Sequence, residues 1–222
     1  MTDTSKKLGS ISAYVFMRIF EEKDNEDILI SLTNAILSDK IIIKKIKKIY
    51  SIYEDVLPKN YLRGCRLSIL ATTNNGDNVY IEIKYRNSKV DDVKAISNFE
   101  RIYVDKNINY VDLYFVKKII SIRIYDKDIC ERISPINNCF FTSEPNKTDE
   151  DVIVWDDLQF TYLELNKYKR TEIKFGDELT KWVDFLINPN DLDKNTKEDK
   201  DIEKALKTLD SIISNTEEKL II

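Results

Sequence analysis

The sequence predicts an α/β fold, and three observations predict it. Leu67, Ile69 and Ala71 alternate with other residues before an Asn-Asn-Gly turn, and Val79, Ile81 and Ile83 alternate after it, which is the period-two pattern of a β-hairpin. Residues 116–125, VKKIISIRIY, and 158–168, LQFTYLELNKY, alternate in the same way and read as further strands. Residues 12–37 instead carry apolar side chains at helical spacing: Val15, Phe16, Ile19 and Phe20, then Ile28, Leu29, Leu32, Ile36 and Leu37.

Each segment has local signals of its own. Ser12 is placed to cap the first helix, and EEKDNED between the two apolar clusters predicts a break, hence two helices. Residues 41–53 are rich in Ile and Tyr and favour a strand, and LPKN at 57–60 a loop. Residues 90–105 have helical character, with Val93, Ile96 and Tyr103 inward. Residues 134–148, rich in Pro, Asn and Ser, read as a loop. LTKWVDFL at 179–186 predicts a short helix burying Trp182, Phe185 and Leu186. NPNDLDKNTKEDKD, 188–201, reads as a polar linker. Beyond it, Ile202, Leu206, Leu209, Ile212 and Ile213 form the apolar stripe of an amphipathic helix, which either packs back on the domain or pairs with a second copy as a homodimer. The expected division is a domain over 1–187 and a linker with helix over 188–222.

Composition removes whole classes of chemistry. Among 222 residues there is no histidine, which excludes Ser-His-Asp and Cys-His catalysis and histidine-ligated metal sites. With four glycines and neither G-x-x-x-x-G-K-[ST] nor G-x-G-x-x-G, a phosphate-cradling loop is hard to build. Cys65, Cys130 and Cys139 have no C-x-x-C spacing and read as free thiols. No apolar run approaches the roughly 20 residues of a membrane span, and no targeting segment stands at the N-terminus. A cytoplasmic protein without membrane association is the expectation. The formal charge of −4 argues against a surface given over wholly to nucleic acid, but DKIIIKKIKKIY at 39–50 concentrates Lys44, Lys45, Lys47 and Lys48. They read as candidate DNA contacts or as the solvated face of an edge.

The hairpin holds the candidate chemistry. A two-residue turn would set Ser68 against Ile83; a three-residue loop Asn74-Asn75-Gly76, with Gly76 left-handed, sets it against Glu82 and keeps polar side chains together. Face consistency favours the second register. Glu82 and Lys84 then share one face. An E-x-K of this kind is also a common solvated ion pair.

In order, these segments resemble the PD-(D/E)xK nuclease family transposases, a group that includes the recombination-promoting nucleases of bacteria. The matching residues are Phe16 and Phe20, LTNAIL at 32–37, LSILATTNNGDNVYIEIKY at 67–85, KKIISI at 117–122, LELNK at 163–167 and KWVDFL at 181–186. The resemblance covers about residues 11–213. It implies a restriction-endonuclease-like core, a mixed β-sheet flanked by α-helices, with a C-terminal helical extension. It also implies Mg²⁺-dependent DNA cleavage, in which two carboxylates on neighbouring strands share an ion and a lysine two residues beyond the second positions the attacking water. Glu82 matches the second carboxylate, the metal ligand, and Lys84 the lysine.

The departures bear on activity. The family's first-strand Asp is replaced by Ser68, whose neutral hydroxyl is a poor Mg²⁺ ligand. The expected Asp and Lys of the opening helix fall at Ala13 and Met17, and the later Arg at Lys94. The expectation is a nuclease scaffold with a degenerate metal site, acting in DNA or protein binding. The alternative is an active Mg²⁺-dependent endonuclease using Glu82, Lys84 and a relocated carboxylate such as Glu21, Glu22 or Asp24; Asp77 lies too near the hairpin tip.

Overall fold

The computed structural model describes residues 10–37, 41–57, 61–86, 116–126, 136–141, 158–170 and 175–214. The helix expected over 90–105, with Lys94, lies outside them.

The first two helices form where the spacing places them. The Ser12 hydroxyl accepts the Val15 N–H at 3.3 Å and starts α1, Ala13–Phe20. The break at EEKDNED is one turn of 3₁₀ helix, Lys23–Asn25, followed by α2, Glu26–Leu37. Asn25 is buried, and its amide donates to Ile19 O at 2.7 Å and to Thr208 Oγ1 at 3.3 Å, which ties this turn to the last helix.

One six-stranded sheet lies beneath them, in the order β1-β2-β3-β4-β6-β5. Its strands are β1 Ile43–Leu57, β2 Tyr61–Thr73, β3 Asn78–Arg86, β4 Val116–Tyr125, β5 Ile136–Phe141 and β6 Leu158–Glu164. Strands β1, β2 and β3 are antiparallel neighbours, β3, β4 and β6 run parallel, and β5 is an antiparallel edge. The sheet is therefore mixed, as the α/β restriction-endonuclease-like expectation requires. In β1 the sequence IKKIKKI has period three, which no regular strand can sort onto two faces. Two register shifts, between Ile43 and Lys45 and between Ile46 and Lys48, resolve this. Ile43 and Ile46 are buried while the four lysines are exposed.

Four expectations are corrected. Residues 136–141, expected within a loop, form β5, because an edge strand needs only the one partner that β6 supplies. The strand expected over 158–168 ends at Glu164, and α3, Leu165–Arg170, follows: Leu165 and Tyr168 are buried three residues apart, and Lys167 turns back to Glu164 at 2.9 Å. Of the loop expected over 57–60, Leu57 belongs instead to β1, and 58–60 lie outside the described residues. Residues 188–201 are not a linker. They fold into a 3₁₀ turn, Pro189–Asp191, a one-turn helix α5, Lys194–Lys197, and the start of α6, Lys200–Ser214. Polar side chains here act as caps: Asp193 Oδ1 accepts the Thr196 N–H at 2.9 Å, and Asp199 Oδ1 accepts from Asp201 and Ile202.

The described helices cover one face of the sheet. Phe16 of α1 stacks on Tyr85 of β3 with ring centroids 4.5 Å apart, and the Tyr85 hydroxyl donates to Ile11 O at 2.7 Å. Helix α4, Asp177–Ile187, buries Trp182, Phe185 and Leu186 as the sequence predicts, and Trp182 Nε1 donates to Ser31 Oγ at 3.1 Å. Along α6, Ile202, Leu209 and Ile212 are buried and Leu206 and Ile213 pack against the same core. The stripe thus packs back on the domain, the first of the two alternatives that the sequence left open. Among the described residues no helix is long and apolar enough to cross a membrane.

Candidate functional site

The hairpin geometry decides which side chains meet. Gly76 has φ +85°, a conformation L side chains rarely adopt, and it closes the loop in which Gly76 N–H donates to Thr73 O at 3.1 Å and Thr73 N–H to Asp77 O at 2.9 Å. The register that follows sets Ser68 against Glu82 and Arg66 against Lys84. Helices take the face of Tyr85, so Glu82 and Lys84 point to the other one.

Strand β4 extends this face. Its parallel register sets Ser121 beside Glu82 and Arg123 beside Lys84. Two rows result: Ser68, Glu82 and Ser121 across β2, β3 and β4, and next to it Arg66, Lys84 and Arg123. Neighbouring strands are roughly 5 Å apart, so the second row is three cations in line, an arrangement that like charges disfavour unless something offsets it. Among the described residues, Glu82 offsets two of them. Arg66 donates to its Oε2 at 3.2 Å, and Lys84 Nζ stands 3.8 Å from its Oε1. Arg123 donates from Nε to Ser121 Oγ at 3.3 Å and lies over the Phe160 ring, 5.5 Å from its centroid. Glu82 is 2% exposed, Lys84 4% and Arg123 3%. The Ser68 hydroxyl, on a residue 1% exposed, finds no hydrogen-bond partner among the described residues.

The other sequence candidates fall elsewhere. Ala13 and Met17 are wholly buried in the core on the helical face. Glu21 and Glu22 pair with Arg18 at 3.2 and 3.6 Å. Asp77 pairs with Lys117 at 3.0 Å. Among the described residues, no group of three or more Asp, Glu, Cys or His gathers to hold a metal. Of LELNK, Glu164 and Lys167 form a buried ion pair where β6 passes into α3.

Sequence reasoning missed Ser121 and Arg123. Their alternation with Ile120, Ile122 and Ile124 in IISIRIY placed them on the polar face of a strand. Which strand they would adjoin, and in what register, depends on a parallel pairing that no local signal encodes.

A family model described as PD-(D/E)XK nuclease family transposase matches residues 11–222. The chain belongs to that family. No curated protein and no solved structure matches it. The PD-(D/E)XK fold is thereby both observed and assigned. PD-(D/E)XK nucleases typically use a divalent metal ion to activate water and polarise phosphate.

Proposed function

We propose that this chain is a PD-(D/E)XK-fold DNA-binding protein whose metal site no longer supports cleavage. The observation that carries the reading is Ser68 directly opposite Glu82, with both oxygens of Glu82 facing cations. A magnesium ion needs hard oxygen ligands whose negative charge offsets its own, together with room for bound water. Among the described residues, the donors at this place are one carboxylate and two neutral hydroxyls, Ser68 and Ser121, with Arg66, Lys84 and Arg123 alongside. This set does not fit a divalent cation, and no step of a metal-dependent reaction is assigned to it.

The same charges suit an anion. Among the described residues, three cationic side chains stand beside one carboxylate; Lys84 and Arg123 are buried, and Arg66 is half-buried, with planar, forked donors matched to phosphate oxygens. Glu82 then orients Arg66 and Lys84 instead of binding a metal, and the exposed lysines of β1 supply the contacts first met by DNA.

Isothermal calorimetry with Mg²⁺ and with Mn²⁺ tests this reading. The natural protein is expected to show no binding, and Ser68→Asp is expected to gain Mn²⁺ binding that Glu82→Ala removes. Tight Mn²⁺ binding by the natural protein, abolished by Glu82→Ala, would restore the active endonuclease with a relocated carboxylate.

A further inference from the structure

The lysines of β1 are organised by the two bulges, and that organisation specifies how DNA is held. In a bulge, two residues of one strand oppose a single residue of its partner. Lys45 is in register with Thr72 and Lys48 with Leu70, while Lys44 and Lys47 are the extra residues. Ile43, Ile46 and Ile49 stand in register with Thr73, Ala71 and Ile69, on the helical face. The lysine pairs therefore turn to the face of Ser68 and Glu82. Lys47 Nζ bears this out for its pair by donating to Asn78 Oδ1 at 2.7 Å, since Asn78 is in register with Thr72 on that face.

Continuing along β1, Tyr50 is in register with Ser68 and Ile52 with Arg66. From Thr72 to Leu70 to Ser68 to Arg66 the steps are two residues each, roughly 7 Å, and the whole course spans roughly 20 Å. On it lie Lys44 with Lys45, Lys47 with Lys48, the half-buried ring of Tyr50, and then the row of Arg66, Lys84 and Arg123. A DNA strand carries one phosphate per roughly 3.4 Å of axis, so cations recurring roughly every 7 Å meet about every second phosphate.

We propose that this course is a metal-independent track for the sugar-phosphate backbone of duplex DNA, lying along the bulged edge strand and ending at Arg66, the half-buried member of the cation row. The inference rests on the DNA-binding reading above and adds to it the contact path and the division of labour. The lysine pairs are exposed and meet the backbone first, Tyr50 presents a ring at the centre, and Arg66 takes the phosphate nearest the former metal site. Lysines on an edge strand also deter pairing with other chains, and that role alone would require neither the shared face nor the cation row at its end.

The test measures binding of a labelled duplex by fluorescence anisotropy in EDTA across a series of potassium chloride concentrations. Compared are the natural protein, Lys45→Gln with Lys48→Gln, Arg66→Gln, and a control removing equal charge from α5 and α6, Lys194→Gln with Lys207→Gln, whose side chains are 85% and 71% exposed. Removing one phosphate-binding side chain lowers the slope of log affinity against log salt by about 1. The β1 pair is expected to lower it by about 2 and to weaken binding about tenfold or more, Arg66→Gln by about 1, and the control not at all. Thermal melts of each variant establish that it is folded. If the natural protein binds DNA and the β1 pair matches the control, the track is wrong while the DNA-binding reading stands. Binding that requires Mg²⁺ would also overturn the track. If the natural protein binds no duplex under any of these conditions, the DNA-binding reading fails and takes the track with it. Folded β1 variants that self-associate in sedimentation with unchanged DNA affinity would assign these lysines to edge protection alone.

Discussion

The two faces of the sheet are made by alternate residues of the same strands, and they follow opposite rules. On the helical face, Leu67, Ile69, Ile81, Ile83, Ile120, Ile122 and Ile124 are all buried, and α1 lays Phe16 and Phe20 against them. Removing that apolar surface from water, at about 25 cal/mol per Å², accounts for the face by itself. On the other face, residues one position along are Arg66, Ser68, Glu82, Lys84, Ser121 and Arg123, also largely buried. Burying charge costs several kcal/mol per ion unless partners offset it, and apolar residues of similar size would often serve stability as well or better. The first face is explained by folding. The second is not, and it is the face to which the proposed DNA contact is assigned.

Substitutions on the two faces should separate these accounts. The largest loss is expected on the helical side: Phe16→Ala removes a ring packed on Phe20 and Tyr85 and should cost about 4 kcal/mol in urea unfolding. Glu82→Ala should come next, at about 3 kcal/mol, because it takes their shared carboxylate from the buried Lys84 and the half-buried Arg66. Double substitution of Glu82 and Lys84 by leucine should recover much of that loss. If it does not, charge burial is not what makes this face costly.

Smaller effects sharpen the contrast. Ser68→Ala should be neutral or stabilise by about 1 kcal/mol, since the hydroxyl it removes is buried with no partner among the described residues; a clear loss would mean that this hydroxyl is held by a bond. Acid should weaken the cap that Asp199 makes at α6. Burial raises the Asp199 carboxyl, but hydrogen bonds from Lys181 and from the Ile202 and Asp201 N–H groups more than offset this and hold it below its ordinary 3.8. Stability from a depressed carboxyl is present above its ordinary value and is lost as pH falls through the folded one. Melting between about pH 5 and pH 2 should therefore show a steeper loss for the natural protein than for Asp199→Asn, and equal slopes would remove this bond from the account.

Much of this was legible in the sequence, and the exceptions have physical causes. The hairpin register was fixed by Gly76 and by the need to keep Arg66, Ser68, Glu82 and Lys84 on one side, and both signals are local. Both helices before β1 and the burial of Trp182, Phe185 and Leu186 were equally readable from spacing. What failed depended on distant partners or on side chains with two uses. The Asp and Asn residues of 188–201 suggest a linker by composition, yet Asp193 and Asp199 are caps, and Leu192 and Thr196 are buried beside them. β5 exists because β6 is beside it. In β1, the period of three was visible in IKKIKKI, but only the bulges show that it sorts isoleucines from lysines by face. Arg123 joins the site through a parallel pairing that nothing near it in the chain predicts.

The central claim is that Ser68 disables a nuclease site while leaving its frame in place. Plasmid nicking in Mg²⁺ and in Mn²⁺, by the natural protein, by Ser68→Asp and by Ser68→Asp with Glu82→Ala, tests it directly. The expected result is a silent natural protein, cutting by Ser68→Asp, and silence again when Glu82 is removed. Glu82-dependent cutting by the natural protein would contradict the claim and make the chain a working endonuclease.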